Sequence, residues 1–200
     1  MNIRAPALVI ASRPHAETGA IVRVLTEEHG LVAGYLAGGR GRQLRPVIIP
    51  GNRVALDLRV RSASQLPSAR LELVESRGPW LSEPLPASAI QWACALTASA
   101  LPERNPYRAL YHALKALLDA ICKAPSARGW LAAMNLYEAM LMRELGYGGA
   151  KPDMDASFED QFQTFRQLHK PLGAYLLADA RTDVMAARIS LGERLAKMIS

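Results

Sequence analysis

Residues 53–61 read Arg-Val-Ala-Leu-Asp-Leu-Arg-Val-Arg, a strict alternation of polar or small residues with apolar ones. Successive side chains of a β-strand point to opposite faces of a sheet, so this period of two predicts a strand with one buried face. The buried face would consist of four apolar side chains: Val54, Leu56, Leu58 and Val60. The opposite face carries three arginines: Arg53, Arg59 and Arg61. The stretch therefore predicts a sheet with a cationic outer surface.

Four more short strands are predicted upstream and downstream of this one, at residues 8–11, 20–26, 31–36 and 69–75. In the last of them, Leu71, Leu73 and, after a slip, Val74 would face inward. A polar turn that ends in Gly30 separates the second and third strands, and this glycine would supply a positive φ. Five short strands with no helical pattern between them predict a small antiparallel barrel such as an OB-fold.

The hydrophobic period changes to 3.6 from about residue 86. One apolar stripe is continuous over seven positions: Tyr107, Leu110, Tyr111, Leu114, Leu117, Leu118 and Ile121. Asn105 and Pro106 would begin this helix as N-cap and first-turn proline. Further helices are predicted at 127–145, 158–168, 171–177 and 183–198, with Ser126 and Ser157 as caps and Gly146 as a C-terminal stop. The predicted fold is α+β, with an OB-fold domain at 1–78 and an all-helical domain at 79–200 that docks protein partners.

A loop rich in glycine and arginine lies between the third and fourth strands: Gly38-Gly39-Arg40-Gly41-Arg42-Gln43-Leu44-Arg45. Residues 1–78 hold eleven arginines and no lysine against six acidic residues, an excess of +5 out of the net +6 of the chain. Positive charge confined to one domain is typical of nucleic-acid binders. The sequence thus predicts a mobile cationic loop that is offered to a polyanion.

Seven arginines are candidate phosphate contacts, because the planar guanidinium fork matches phosphate oxygens. They are the loop residues Arg40, Arg42 and Arg45, the strand residues Arg53, Arg59 and Arg61, and Arg13. The alternative is that arginine is simply the usual surface cation of this chain, which has nineteen Arg and five Lys. Tyr35 is the only aromatic residue before residue 79, so binding to the nucleic-acid backbone is favoured over base readout.

Other kinds of site have little support in the sequence. The Gly loop lacks the Gly-Lys-Ser/Thr ending of a nucleotide-binding P-loop, and the four histidines are scattered. Asp153 and Asp155 could share a cation, but capping or solvation explains them better. Cys94 and Cys122 are expected to be reduced core residues of a cytosolic protein. The charge-free stretch 84–101 is too polar for a membrane span, so no membrane association is expected.

Two stretches near the start of the chain read Leu-Val-Ile-Ala-Ser-Arg-Pro-His-Ala-Glu-Thr-Gly-Ala-Ile-Val, at 8–22, and Leu-Thr-Glu-Glu-His-Gly, at 25–30. They resemble the opening hairpin of the bacterial recombination-mediator family RecO. The turns Leu-Arg-Pro at 44–46 and Pro-Gly-Asn at 50–52 are similar to the basic-loop region of the family. The helical part is similar at Glu-Leu-Gly-Tyr-Gly, residues 144–148, and over the closing helices at 176–195.

The resemblance implies an OB-fold that binds single- and double-stranded DNA, and a non-catalytic role in strand annealing and recombinase loading. The implied partners are the RecR ring and the acidic C-terminal tail of the single-strand-binding protein, in a cytoplasmic, nucleoid-associated setting. By position, Arg40, Arg42 and Arg45 would contact DNA. Many relatives carry a four-Cys zinc module after the Leu-Gly-Tyr-Gly motif, whereas residues 150–153 here contain no cysteine. Neither zinc nor another cofactor is therefore expected.

Two other functions stay open at the level of sequence. An OB-fold RNA-binding or ribosome-associated module would share the basic barrel, and a preference for structured RNA over single-stranded DNA would distinguish it. A metal-dependent nuclease would have only Asp153 and Asp155 in its support. We therefore expect a protein that binds nucleic acid and is not an enzyme.

Overall fold

The computed structural model describes residues 2–60, 65–178 and 183–199. The chain divides into two compact units. The first comprises Met1–Ser82 together with Leu101–Tyr111, and the second comprises Glu83–Ala100 together with His112–Ser200. Strands dominate the first unit and helices the second, so the predicted α+β class is confirmed. The predicted domain division at residue 78 stays a prediction.

The first unit is a five-stranded barrel. Its strands are β1 (Asn2–His15), β2 (Gly19–Thr26), β3 (Gly30–Leu36), β4 (Arg53–Arg59) and β5 (Ser68–Glu75). They follow the order β1-β2-β3-β5-β4, with β4 returning to β1. The closure between β3 and β5 is narrow, because it consists of the parallel pair Tyr35 and Ser68 and a 2.7 Å bond from the Tyr35 N–H to the Pro67 carbonyl. A small, partly open barrel of five strands is the architecture of an OB-fold.

Strand β1 pairs with both β2 and β4. Residues 2–8 pair with β4, and residues 7–15 pair with β2, with a register shift between Val9 and Ala11. Such a bulge bends a strand, which lets one long strand turn the corner of a small barrel. The interior is filled by the side chains that alternate inward from all five strands, among them Val54, Leu56 and Leu58 of β4. The prediction for β4 is therefore confirmed from residue 53 to residue 59.

The predicted inward face of β5 is wrong beyond Leu71. Leu71 is buried, but Leu73 is 43% exposed and Val74 is 55% exposed. The β4–β5 register explains the difference, since Arg53 pairs with Glu75 while the next residue, Val54, pairs with Leu73. Val74 is thus the extra residue of a bulge, and a bulge disrupts the alternation on which the prediction relied.

The turn between β2 and β3 contacts the segment that precedes the second helix. Gly30 has φ +65°, as predicted, and a Cβ at this position would lie 2.1 Å from the Asn105 carbonyl oxygen. The Arg104 N–H donates to the Leu31 carbonyl at 2.8 Å. Because Asn105 packs on this turn, it does not cap the helix, which begins only at Arg108. The predicted N-cap is therefore wrong.

The helices are α1 (Pro84–Ala100), α2 (Arg108–Lys123), α3 (Leu131–Glu144), α4 (Phe158–Pro171) and α5 (Met185–Ala196). A π-helical turn, Leu172–Leu176, continues α4, and 3-10 turns lie at Gly78–Ser82 and Ala127–Gly129. The helix predicted from residue 127 thus begins as a separate 3-10 turn, and Ser126 makes no side-chain cap bond. Ser157 does cap α4, accepting from the Asp160 N–H at 3.1 Å. Among the described residues, no helix is long and apolar enough to cross a membrane.

A buried ion pair connects four helices of the second unit. The Arg188 guanidinium of α5 donates two hydrogen bonds to the Glu138 carboxylate of α3, at 3.1 and 2.8 Å. Trp92 of α1 donates its indole N–H to the same carboxylate at 2.7 Å. The guanidinium also donates to the Phe165 carbonyl of α4 and stacks on that ring, 3.8 Å from its centroid. Both charges are thus fully enclosed and well supplied with hydrogen-bond partners.

We expect Arg188→Met and Glu138→Leu each to lower the free energy of unfolding by about 3–5 kcal/mol, because each leaves one buried charge without its partner. The double variant should lose much less than the sum of the two, since it removes both charges together. Urea denaturation of the four proteins measures the coupling. Additive losses would contradict a direct interaction between these two side chains.

Candidate nucleic-acid interface

The basic loop between β3 and β4 is a folded cap on the barrel. Its backbone forms helical turns, with the Arg45 N–H bonded to the Gly41 carbonyl at 3.0 Å and the Ile48 N–H to the Leu44 carbonyl at 3.2 Å. The side chains of Val47 and Ile48 belong to the barrel core, and Leu44 packs against it. Apolar residues within and after the Gly/Arg run thus anchor the loop to the barrel, and its predicted mobility stays a prediction.

Asn52 anchors this cap through the hydrogen bonds of its side-chain amide. Its side-chain N–H₂ donates to the carbonyls of Pro46 and Val47 at 2.8 and 3.1 Å, and its side-chain oxygen accepts the Arg77 backbone N–H at 2.7 Å. The partners are two acceptors on one side and a donor on the other, so they fix the orientation of the amide. Asn52 is fully buried. It therefore joins the cap to the chain that leaves β5.

Arg40 attaches the other end of the cap to the turn between β1 and β2. Its backbone N–H donates to the Thr18 carbonyl at 3.0 Å, and its guanidinium donates to the Glu17 carbonyl at 2.9 Å. The neighbouring Gly39 approaches β2 closely, since a Cβ there would lie 2.7 Å from the Ala20 Cβ. A larger residue at position 39 would push the cap away from the barrel.

Three of the predicted arginines meet at this end of the barrel. Arg13 from β1 and Arg40 and Arg45 from the cap line one concavity of about 340 Å³. The remaining lining residues are small, apolar or hydroxyl-bearing: Ser12, Pro14, Ala20, Gly39 and Ile48. Within the described residues, no acidic side chain pairs with Arg13 or Arg45. Three arginines that line one concavity are suited to bind an anion such as phosphate.

The remaining predicted arginines lie elsewhere. Arg42 is exposed at the tip of the cap and does not line the concavity. Arg61 lies outside the described residues. Arg53 and Arg59 lie on the outer side of β4, and each has an acidic partner. Arg53 is 3.5 Å from Glu75, and Arg59 makes two hydrogen bonds to Asp57, at 3.3 and 3.0 Å.

Charge on the outer side of β4 is largely balanced. Arg4 also contacts Asp57, at 3.4 Å. The hydrogen bond from Arg59 lowers the pKa of the Asp57 carboxyl and raises the pKa of Arg59 itself, so both stay ionised at neutral pH. A phosphate approaching this side would meet arginines already engaged by carboxylates. The concavity is therefore the better anion site.

Sequence reasoning assigned no role to His15 and only a weak one to Tyr35, and the structure places both on the same face of the barrel as Arg13. In the strand register, Arg13, Ile21 and Tyr35 are directly opposite one another across β1, β2 and β3, so their side chains share one face. The ring of Tyr35 lies over Gly19. The His15 ring packs edge-on against the Tyr35 ring, with the two ring centroids 5.9 Å apart. Sequence reasoning missed this grouping because the predicted first strand ended at residue 11, whereas β1 continues to His15. An aromatic ring on the same face as an arginine is suited to stack on a nucleic-acid base.

Other candidate groups have structural roles. The Asp153 carboxylate accepts the Asp155 N–H at 3.0 Å, a local turn of the kind that aspartate favours. Among the described residues, no three His, Cys, Asp or Glu side chains cluster as metal ligands. Cys94 and Cys122 are buried and unbonded to each other, as predicted, and burial raises the pKa of the Cys94 thiol to about 12. Such a thiol is a poor nucleophile at neutral pH.

Comparison with known proteins agrees with both parts of this architecture. Residues 1–77 match the family "Recombination protein O N terminal", and residues 82–172 match "Recombination protein O C terminal". The chain belongs to the recombination protein O family. Among its relatives, the DNA repair protein RecO of Phenylobacterium zucineum (strain HLK1) is 41% identical over 149 residues, which is 74% of this chain and 60% of that protein. DNA repair protein RecO of Rhodospirillum centenum (strain ATCC 51521 / SW) is 41% identical over 143 residues, covering 71% of this chain and 56% of the relative. The matched part of the chain thus spans less than two thirds of the length of these relatives.

Replacing Asn52 by alanine should release the cap, because the Arg77 N–H and two carbonyls lose their buried partner. We expect the free energy of unfolding to fall by about 2–4 kcal/mol. Gln43→Ala changes an exposed amide in the same cap and should cost under about 0.5 kcal/mol. Urea denaturation measures both effects. Equal stability of the two variants would show that Asn52 does not anchor the cap.

Proposed function

We propose that this chain is a non-catalytic, DNA-binding mediator of repair and recombination. It would bind and anneal single strands and help to load recombinase onto strands coated by single-strand-binding protein. The supporting observation is the concavity formed by Arg13, Arg40 and Arg45 on a barrel of the recombination protein O family, where no carboxylate of the described residues is paired with these cations. Phosphate oxygens fit these groups by charge and by geometry.

The proposed contact is mainly to the backbone of the strand. Arginines neutralise phosphates and release the counterions that surround them, so affinity falls as salt rises. Engagement of about three to five phosphates corresponds to a log-log slope of roughly −2 to −3.5 for a single strand. Tyr35 would add one stacking contact without reading the sequence of bases. Binding should therefore depend strongly on salt and weakly on sequence.

The decisive experiment is fluorescence anisotropy with a labelled single strand across a salt series. The variant Arg13→Ala/Arg40→Ala/Arg45→Ala should bind more weakly than the wild type, and its slope should be shallower by roughly 2, since each lost phosphate contact contributes about 0.7. The matched control is Arg53→Ala/Arg59→Ala/Arg70→Ala, which removes the same charge from another side of the same barrel. Because Arg53 and Arg59 already have acidic partners, this control should change the slope less.

A wild-type affinity that does not depend on salt would refute phosphate contact by the barrel. Equal losses in the two triple variants would show that net charge, rather than the concavity, drives binding. Tighter binding to structured RNA than to single-stranded DNA would instead favour the RNA-binding function.

The second unit would dock protein partners. A groove of about 480 Å³ lies between α4 and α5. Phe162, Phe165 and Ile189 are its large apolar residues, and its polar lining comprises Arg166, His169, Glu193 and the Arg188 already paired with Glu138. The apolar walls suit the hydrophobic residues of a short peptide, and Arg166 offers a guanidinium to an acidic one. We assign this groove to the acidic C-terminal tail of the single-strand-binding protein. RecR is the other expected partner, and we assign it no surface.

The groove assignment is tested with a fluorescent peptide that ends in the acidic tail sequence. Arg166→Ala/His169→Ala should weaken its binding by about 3- to 30-fold, because the groove loses one guanidinium and one imidazole that can donate hydrogen bonds to carboxylates. Arg128→Ala/Lys197→Ala removes two exposed cations that do not line the groove and should leave the affinity unchanged. An equal loss in both variants would mean that the peptide responds only to net charge.

Three further properties belong to the same proposal. We infer that the chain works without zinc, since residues 150–153 contain no cysteine where relatives carry the zinc module. It would act without catalysing a reaction of its own. It would function in the cytoplasm, at the nucleoid.

A further inference from the structure

Two tyrosines of the second unit form an exposed aromatic stack. The rings of Tyr147 and Tyr175 lie with their centroids 5.5 Å apart and their planes at 19°. Tyr147 is 49% exposed and Tyr175 is 53% exposed, although each ring is shielded on one side by the other. Each phenol therefore keeps a solvent-facing side. Large exposed aromatic side chains are uncommon on protein surfaces and often mark binding sites.

The backbone on both sides of the stack holds the rings in place. Gly146 ends α3 with φ +86°, and the Tyr147 N–H closes the helix by donating to the Met142 carbonyl at 2.8 Å. Tyr175 lies in the π-helical turn Leu172–Leu176, a rare conformation that is frequent at functional sites. The stack is therefore built on two fixed chain segments.

The backbone after Tyr147 is open, and three exposed cations lie close to the two tyrosines in the sequence. Among the described residues, no atom outside the immediate chain neighbours lies within 4 Å of a Cβ built on Gly148 or Gly149. The backbone that follows Tyr147 is therefore not covered by other parts of the described structure. Arg143 lies in the last turn of α3, and Lys170 lies in the last turn of α4. Both are exposed, as is Lys151. The cations compensate the negative ends of the two helix dipoles, and their heads remain accessible to phosphate.

We propose that the Tyr147–Tyr175 stack is a platform for an unpaired base of a single strand, separate from the arginine concavity of the barrel. A base laid on the open side of either ring would extend the column of two rings to three. Every base has a π-face, so such a platform tolerates any sequence. Bases within a duplex are already paired and stacked, and the platform thus selects single strands. The inference rests on the proposed function, because it names a second contact for the same class of ligand.

The test compares two labelled strands of equal length, oligo(dT) and an abasic strand with the same phosphates. Tyr147→Leu and Tyr175→Leu should each weaken oligo(dT) binding by about 5- to 100-fold. Their salt slope should equal that of the wild type, since no phosphate contact is lost. Tyr147→Phe and Tyr175→Phe keep the ring and should bind as the wild type does. Met154→Ala removes another exposed apolar side chain of this unit and should change nothing.

The abasic strand distinguishes stacking from a structural role of the rings. Leucine variants that lose affinity equally for both strands would overturn the proposal, because the rings would then only hold the chain after α3 in place. Leucine variants that bind oligo(dT) like the wild type would overturn it as well. The variant Tyr175→Trp keeps an aromatic ring at this position and provides a second measurement. Its tryptophan fluorescence should be quenched by oligo(dT) and not by the abasic strand. Equal spectra with the two strands would also count against the platform.

Failure of this inference can be told apart from failure of the proposed function. If the arginine variants lose salt-dependent binding while the leucine variants bind normally, the barrel contact stands and the platform is refuted. If the leucine variants are weak and the arginine variants are normal, the platform stands and the concavity is not the phosphate site. A wild type that binds neither strand refutes both.

Discussion

The Asn52 side chain uses both ends of its amide inside the barrel, and the cationic end of the molecule depends on those bonds. Without an acceptor for the Arg77 N–H and donors for the two loop carbonyls, three polar groups would be buried without partners. That cost makes the position of the cap specific, because a displaced cap would leave the same groups unsatisfied. Val47 and Ile48 could be buried in many positions of the cap, because apolar contacts are not directional. The Asn52 amide finds all three hydrogen-bond partners in few positions of the cap. The placement of Arg40 and Arg45 follows from this constraint.

Pairing with acids divides the arginines of the first unit into two groups. Arg59 and Arg4 share Asp57, and Arg53 has Glu75, so a phosphate on that side must compete with a carboxylate already in place. In the part of the chain that the structure describes, Arg13 and Arg45 have no carboxylate partner, so a phosphate in the concavity would not compete with one. Replacing one weak surface ion pair by another gains little, whereas neutralising arginines that lack a carboxylate partner would gain the full counterion-release contribution. Net charge alone, the quantity that a sequence provides, does not make this distinction.

The sequence was sufficient wherever a local period controls the structure. The alternation of β4 and the helical stripe from Leu110 to Ile121 were predicted correctly, because burial of one face determines both. Errors arose where a distant partner intervened. Val74 is the extra residue of a bulge that exists only in the β4–β5 register, and Asn105 packs on the β2–β3 turn instead of capping α2. Arg188 and Glu138 are fifty residues apart and look like ordinary surface charges in the sequence, so their burial together could not be read from spacing. The grouping of Arg13 with the loop arginines has the same origin, since it follows from how β1 and the cap meet.

Phosphate contact and base stacking respond to different variables, and this difference would give the two proposed surfaces distinct physical roles. Neutralising phosphates confers affinity that falls with salt and is the same for single and double strands of equal charge density. Stacking on an aromatic ring requires a base that is not already stacked, so it adds affinity for single strands alone and is insensitive to salt. Annealing needs a protein that holds separated strands and then lets the duplex go. Aromatic contacts are lost when bases pair, while the arginine contacts persist on the product. A protein with both kinds of contact would therefore release its hold in part as the duplex forms, without any chemical step.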